Sequence, residues 1–265
     1  MPTIDIQRVG ATAVLTLNRP EQRNALDYAM REELARAVPE LCDDTDVRAV
    51  VIIGAGRHFC SGGDVKILAE QRSEKHDVFE GRSRIRKMHR WFDELIDMEK
   101  PVIAAVDGVA FGAGLSFALA ADFVLATPEA TFCSVFSRIG YVPDMAGMYL
   151  LPRAIGLARA KELVFSARVV GAKEALSIGL VHRLCEGDLR EAALQLAESF
   201  HAAPAGAIGL AKSVMNRAFE SDRQSVYAQE AMAQAMCRES GFHQEAVQRF
   251  VTKQPPLYPA PREQK

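Results

Sequence analysis

The fold of this 265-residue chain is decided by residues 100–127, which read KPVIAAVDGVAFGAGLSFALAADFVLAT. The apolar run Val102–Val106 predicts a buried strand, because small and β-branched residues without polar alternation suit a sheet covered on both faces. A glycine loop follows at Gly112–Gly114, and the small residues of Leu115–Ala121 predict a short helix. A further strand is predicted over Asp122–Ala126. A strand, a loop, a helix and a strand in this order indicate an α/β fold.

The same order of elements recurs towards the N-terminus. Val47–Ile53 predicts another buried strand, and the glycine-containing loop Gly54–Gly63 follows it. Apolar spacing further predicts strands at Thr3–Val9 and Ala11–Leu17 and helices from Leu26 to Leu41 and near Asp77–Met98. After about Ala158 the pattern is almost entirely helical, apart from a short strand predicted at Leu180–Leu184.

Composition excludes several classes of function. The chain has 32 Lys and Arg against 34 Asp and Glu, so no positive excess exists to displace counterions from a nucleic acid. Its most apolar stretch, near Pro101–Ala126, is interrupted by Asp107 and Asp122, which argues against a membrane helix. No secretory signal is visible at the start, MPTIDIQRVG, so a soluble, cytoplasmic protein is expected.

The cysteines and histidines do not form a metal-binding or disulfide pattern. Five cysteines are an odd number without a CxxC pair, which is typical of reduced thiols in a cytosol-like compartment. The six histidines include no HExxH pair, so no metal site is predicted.

Two glycine loops are the first candidates for chemistry, because each links a buried strand to a helix. They are His58–Asp64, HFCSGGD, and Gly108–Gly114, GVAFGAG. Small residues let backbone N–H groups approach a ligand, and two such loops could form an oxyanion hole for a carbonyl oxygen. The alternative is that the glycines only permit tight turns.

The second loop also partly matches two other motifs. A dinucleotide fingerprint is not completed, because Phe117 stands where its third glycine belongs. The GxSxG elbow of serine hydrolases is missed by one residue, with Ser116 as the nucleophile and Ala118 in place of the last glycine. A serine inside a helix is more often a small packed residue.

A third candidate lies in Phe132–Gly147, FCSVFSRIGYVPDMAG. Pro143-Asp144 is consistent with an ordinary turn. Asp144 also stands among Ile139, Val142 and Met145, and apolar surroundings could raise the pKa of its carboxyl into a catalytic range. The pattern alone leaves both interpretations open.

These segments together resemble the enoyl-CoA hydratase/isomerase, or crotonase, superfamily over essentially the whole chain. The matching segments are Asn18–Pro20, Arg23–Leu26, Phe59–Asp64, Lys100–Gly108, Gly112–Gly114, Leu151–Gly156, Ala172–Ala175 and Gly179–Val181. The resemblance implies a crotonase-like spiral of ββα units in residues 1–200. It also implies a helical C-terminal trimerisation region in residues 201–265, as a homotrimer or a dimer of trimers.

The resemblance also implies an acyl-CoA thioester as the ligand, with coenzyme A as part of the substrate and no separate cofactor. Two backbone N–H groups hold the thioester carbonyl in this family, and by position these would be those of Ser61 and Ala113. Loosely matched contacts to substrate or CoA are Arg23, Ala25, Cys60, Gly62, Asp64, Gly112, Phe136, Phe250 and Lys253. Packing or surface roles remain open for them. The acyl pocket is expected to involve the Glu70–Arg90 region.

Departures from the family pattern bear on the reaction. Family hydratases carry two glutamates, and the matching positions here are Ser116 and Phe136. Asp144 falls where Δ3,Δ2-enoyl-CoA isomerases, and especially the ring-modifying isomerase of phenylacetyl-CoA breakdown, keep their acid/base. The resemblance therefore implies an isomerase in which Asp144 moves a proton from C2 to C4 and Phe136 keeps the pocket dry.

Other activities remain as alternatives. The 4-chlorobenzoyl-CoA dehalogenase branch also has an aspartate at the position of Asp144, as a nucleophile, and His89 falls near its functional histidine. That branch has tryptophan where this chain has Phe136, and a partly exposed helix residue is the simpler interpretation of His89. Hydratase or thioester hydrolase activity, or a non-catalytic acyl-CoA-binding role, are the other possibilities.

Overall fold

The computed structural model describes residues 2–64 and 77–259. The strands are β1 (Ile4–Val9), β2 (Thr12–Leu17), β3 (Ala49–Gly54), β4 (Val102–Val106), β5 (Val109–Phe111), β6 (Phe123–Ala126), β7 (Thr131–Cys133), β8 (Val170–Gly171) and β9 (Arg183–Leu184). The helices are α1 (Tyr28–Asp43), α2 (Val78–Asp97), α3 (Ala113–Leu119), α4 (Gly147–Ile155), α5 (Leu157–Ser166), α6 (Ala172–Ser177), α7 (Leu189–Glu198), α8 (Ala205–Arg217), α9 (Arg223–Arg238) and α10 (Gly241–Val251). Short 3-10 helices lie at Pro20–Gln22 and Val135–Ile139.

The larger sheet has the strand order β1-β2-β3-β4-β6-β9. The β1–β2 pair is antiparallel and the other pairs are parallel. Every residue of β4 is buried, because α7 covers one face of the sheet and the main core, which includes α1 and α2, covers the other. The α/β class and the strands predicted from unbroken apolar runs are thereby confirmed.

The smaller sheet, β5-β7-β8, is a feature that the sequence did not predict. Val109–Phe111 is a strand here, although the sequence placed it in the second glycine loop. Its partner strand lies about twenty residues further along the chain, and three residues are too few to show a period. Two boundaries also differ: α3 begins at Ala113, before the predicted Leu115, and β9 covers only Arg183–Leu184 of the predicted strand.

The C-terminal helices differ among themselves in how much they bury. Helix α8 forms a salt bridge with the residue that precedes β6, because the ammonium of Lys212 lies 2.8 Å from the carboxylate of Asp122. Helices α9 and α10 contain no buried residue and expose large apolar side chains such as Met232 and Phe250. Among the described residues, no helix is both long and apolar enough to cross a membrane.

Candidate active site

The two glycine loops contact each other through their backbones. A parallel bridge joins Cys60 to Ala110. The N–H of Cys60 donates to the carbonyl of Val109, and the N–H of Phe111 donates back to the carbonyl of Cys60, both at 3.0 Å. The loops that the sequence singled out separately therefore form one surface.

Glycine is required at this contact for reasons of space. A Cβ on Gly114 would lie 2.2 Å from the carbonyl oxygen of Cys60. A Cβ on Gly62 would lie 2.7 Å from the carbonyl oxygen of Phe111, and Gly62 also has a φ of +99°, which disfavours L side chains. These glycines thus allow the two loops to approach closely, which is more than the tight turn of the simpler interpretation.

One N–H group of the predicted oxyanion hole already has a hydrogen-bond partner in the structure. The N–H of Ser61 donates to the carbonyl of Arg23 at 3.0 Å, so it is already used inside the fold. The N–H of Gly62 is also engaged, since it lies 3.4 Å from Sγ of Cys60. The role of Ser61 as the first donor stays a prediction, and in this structure its N–H is hydrogen-bonded within the fold.

The N–H groups of Gly63 and Ala113 are the candidates for the two donors. Gly63 forms a bridge with Leu26, but that bridge uses the carbonyl of Gly62 and the N–H of Asp64. Among the hydrogen bonds of residues 2–64 and 77–259, none uses the N–H of Gly63 or Ala113. Ala113 is the first residue of α3, where N–H groups have no partner within the helix.

The carboxyl group of Asp144 is the acidic group of the site. Its Oδ1 is buried and accepts no hydrogen bond from the described residues. Burial raises the pKa of Asp144, and the positive charges of Arg31 and His89 oppose this rise. The turn is also strained, since Met145 and Ala146, which follow Asp144, have φ of +46° and +53° without being glycine.

Arg31 is a site residue that the sequence did not predict. It lies in α1, and a Cβ on Gly63 would be 3.5 Å from one of its terminal nitrogens. Its Nε is buried and makes no hydrogen bond within the part of the chain that the structure describes. The only signal in the sequence is its place between the buried residues Met30 and Leu34, at the border of the apolar face.

His89 lies on α2, is half-buried, and acts electrostatically on Asp144. The dehalogenase-like interpretation of His89, which the sequence left open, stays a prediction. The acyl-pocket prediction for Glu70–Arg90 lies partly outside the described residues, which omit 65–76.

The two positions that hold glutamates in family hydratases are occupied by side chains without acid/base chemistry. Ser116 is buried, and its hydroxyl donates to the backbone carbonyl of Asp144 at 2.9 Å, which argues against a free nucleophile. The ring of Phe136 is buried and packs against Gly112, where a Cβ would lie 3.7 Å from its Cζ. Both residues line a small cavity, together with Leu151 and with Gly112 of the second loop.

The residues matched to CoA contacts are spread over several surfaces. Arg23 is exposed beside the first loop, whereas Ala25 is buried. Asp64 lies 3.1 Å from the guanidinium of Arg19. Cys60 is a buried thiol whose burial raises its pKa to about 12.

Phe250 lies near the end of α10 and Lys253 just beyond it, and both are exposed. Helix α10 packs on α9. Their predicted contact with CoA, from the same or a neighbouring subunit, stays a prediction.

The sequence is related to known proteins along nearly its whole length. Residues 7–261 match the family model described as enoyl-CoA hydratase/isomerase. The chain belongs to the enoyl-CoA hydratase/isomerase family. It is 32% identical to a short-chain-enoyl-CoA hydratase of Clostridium acetobutylicum over 250 residues, which cover 94% of each chain. It is 33% identical to the 1,2-epoxyphenylacetyl-CoA isomerase of Escherichia coli over 246 residues, or 92% of this chain and 93% of that protein.

Solved structures of the family share the whole fold. An enoyl-CoA hydratase/isomerase from Cupriavidus metallidurans CH34 superposes with a TM-score of 0.93 at 36% identity, covering 100% of this chain and 99% of the other. The crotonase fold is thereby confirmed. The protein is an enzyme of the crotonase superfamily with enoyl-CoA hydratase/isomerase activity, since relatives of both names match it along nearly their full lengths.

Proposed function

We propose that this enzyme is an enoyl-CoA isomerase that moves the double bond of a 3-enoyl-CoA thioester, or a related aromatic-derived thioester, to the 2 position. The observation that carries the proposal is the buried Oδ1 of Asp144, which accepts no hydrogen bond from the described residues. Its turn is joined by the Ser116 hydroxyl to α3, the helix that begins at Ala113. A single carboxylate with a raised pKa is suited to remove a weakly acidic C–H proton and return it. Addition of water requires further acid/base groups, and Ser116 and Phe136 supply none.

The proposed reaction needs only the carboxyl group of Asp144 and two backbone N–H groups. The N–H groups of Gly63 and Ala113 would hold the thioester oxygen, on which negative charge develops when Asp144 removes a proton from C2. The electron pair then forms the C2=C3 bond, and the former C3=C4 pair takes the proton from Asp144 at C4. One well-placed donor typically contributes about 10²–10³ in rate.

The environment of Phe136 supports isomerisation over hydration. Its ring is buried against Gly112 and stands at a position where the resemblance places a glutamate of family hydratases. Excluding water from a dienolate also prevents side reactions. The exposed apolar faces of α9 and α10 support the accompanying proposal that the enzyme works as a trimer or a dimer of trimers.

The test is an ultraviolet assay for the conjugated 2-enoyl thioester, with 3-hexenoyl-CoA as the substrate. Wild type should form the product, and Asp144→Asn should lower kcat by about 10²–10⁴ because it removes the base. Glu129→Gln, a change at an exposed loop residue, is the matched control and should keep wild-type kcat. Folded Asp144→Asn with undiminished turnover would overturn the proposal, as would hydration of 2-hexenoyl-CoA without any isomerisation.

A second candidate function is favoured by one observation, the electrostatic interaction of His89 with Asp144. Asp144 could attack an aromatic ring carbon of a halobenzoyl-CoA, halide would leave, and His89 would activate the water that cleaves the aryl ester. A single turnover in H₂¹⁸O separates the two functions. Label in the Asp144 carboxyl, together with released halide, would establish the nucleophile, and the isomerase leaves that carboxyl unlabelled.

A further inference from the structure

The side chain of Ser116 makes an unusual connection for a serine within a helix. Such a hydroxyl commonly bonds the carbonyl one turn back in its own helix. Here Oγ instead donates to the backbone carbonyl of Asp144, 28 residues later in the chain. The serine is only 2% exposed, so this bond is protected from water.

The carbonyl that accepts this bond belongs to the strained turn that holds the proposed base. The N–H of Gly147, at the start of α4, also donates to the carbonyl of Asp144, at 2.9 Å. The other hydrogen bonds of residues 143–146, among the described residues, are to α4, the helix that follows them directly. The bond from Ser116 is the one that joins these residues to another part of the fold. A turn with two successive non-glycine residues at positive φ needs such external support to persist.

The same helix links this support to the oxyanion donor. Ala113 and Ser116 are three residues apart in α3 and so lie on the same side of the helix. One rigid element thus holds both the N–H proposed to bind the thioester oxygen and the hydroxyl that holds the peptide of Asp144. The distance between donor and base is fixed through this pair.

Gly147 leaves space for the hydroxyl. A Cβ at Gly147 would lie 2.6 Å from Oγ of Ser116 and 3.2 Å from Cβ of Pro143. It would lie at an ordinary 3.7 Å from Cβ of Ser116. An alanine at position 147 is therefore blocked chiefly by the serine hydroxyl, which offers a way to separate packing from hydrogen bonding.

We propose that Ser116 is a positioning residue, which fixes the carboxylate of Asp144 relative to the Ala113 N–H by its hydrogen bond to the Asp144 carbonyl. The inference rests on the proposed function, because it requires Asp144 to act as the base. Ser116 occupies the position of a catalytic glutamate in family hydratases, and its role here is to act through Asp144 and not on the substrate.

The experiment measures kcat and KM for 3-hexenoyl-CoA, and deuterium uptake at C2 of hexanoyl-CoA in D₂O as an independent readout of the base. Ser116→Ala should lower kcat and the C2 exchange rate by about 10- to 100-fold, because small displacements of a base are costly, while KM stays unchanged. The pH dependence should keep its shape, because the ionisable group is retained. Ser116→Cys, which is nearly isosteric but a weak donor, should behave likewise and covers the case that Ser116→Ala does not fold.

The double variant Ser116→Ala with Gly147→Ala is the matched control for packing. It fills the space of the hydroxyl without restoring the bond, so kcat should remain low. Recovery of kcat in the double variant, wild-type kcat in Ser116→Ala, or a rise in KM that accounts for the loss would each overturn the positioning role. If wild type neither isomerises nor exchanges, the proposed function fails and this inference fails with it. If Asp144→Asn loses both isomerisation and C2 exchange while Ser116→Ala keeps both, the proposed function stands and only the positioning role of Ser116 is overturned.

Discussion

The two halves of the site are built in opposite ways. The paired glycine loops offer backbone groups, and they depend on the absence of side chains at Gly62 and Gly114. The Asp144 turn offers a side chain, and it depends on burial, on strain at Met145 and Ala146, and on support from elsewhere in the fold. Substitutions in the loops should therefore act on folding first, whereas substitutions around Asp144 should act on ionisation and rate.

The largest expected effect is at the loop contact. Gly114→Ala would place a Cβ 2.2 Å from the backbone oxygen of Cys60, and neither loop backbone can move without breaking the bridge. We expect a loss of unfolding free energy of about 3 kcal/mol, at the upper end of overpacking effects, together with loss of turnover. Urea denaturation monitored by circular dichroism measures the change.

A second glycine provides the control for this prediction. Gly206 lies in α8, and no heavy atom comes within 4 Å of the position that a Cβ would take there. Gly206→Ala should therefore stabilise the protein by about 0.5–1 kcal/mol, because alanine favours the helix more than glycine does. Equal effects of the two alanines would show that the loop contact is not tightly packed and would remove the contrast with the Asp144 turn.

The same contrast explains how much could be predicted from the sequence. The strands of the larger sheet follow from unbroken apolar runs, and the two loops follow from their glycines. The hydrogen bond from the Ser61 N–H to the carbonyl of Arg23 could not be predicted, because Arg23 lies in a turn far away in sequence. Arg31 was not predicted for a similar reason, since helical spacing marks its neighbours as core but cannot show that its own side chain reaches the loops.

The next prediction concerns the unfolding free energy, which burial of the ionised carboxyl group of Asp144 lowers. Because its pKa is raised in the folded protein, Asp144 holds its proton more tightly there than in the unfolded chain. The unfolding free energy contributed by this group should therefore fall as pH rises from the ordinary value of 3.8 through the raised value, and stay low above it. Asp144→Asn should be more stable than wild type at neutral pH, and this advantage should disappear in acid.

Thermal denaturation of the wild type and Asp144→Asn across about pH 4–8 measures this difference, with Glu129→Gln as the exposed control expected to follow the wild type. An Asp144→Asn variant that is less stable than wild type at neutral pH would mean that the carboxylate is stabilised by its surroundings, contrary to the burial of its unbonded Oδ1.

The smallest effect is expected at Arg31, which changes the pKa of Asp144 and does not itself act as the base. Its positive charge lowers the pKa of Asp144 against the larger effect of burial, and His89 on α2 acts in the same direction. Arg31→Met keeps much of the length of the side chain and removes the charge, so the acid limb of the kcat/KM profile should move to higher pH while the plateau is retained. Arg31→Lys keeps the charge and should leave the limb close to that of wild type. If both variants lower the plateau and leave the limb in place, Arg31 acts by contact with the Gly63 loop, and the electrostatic account of this half of the site is wrong.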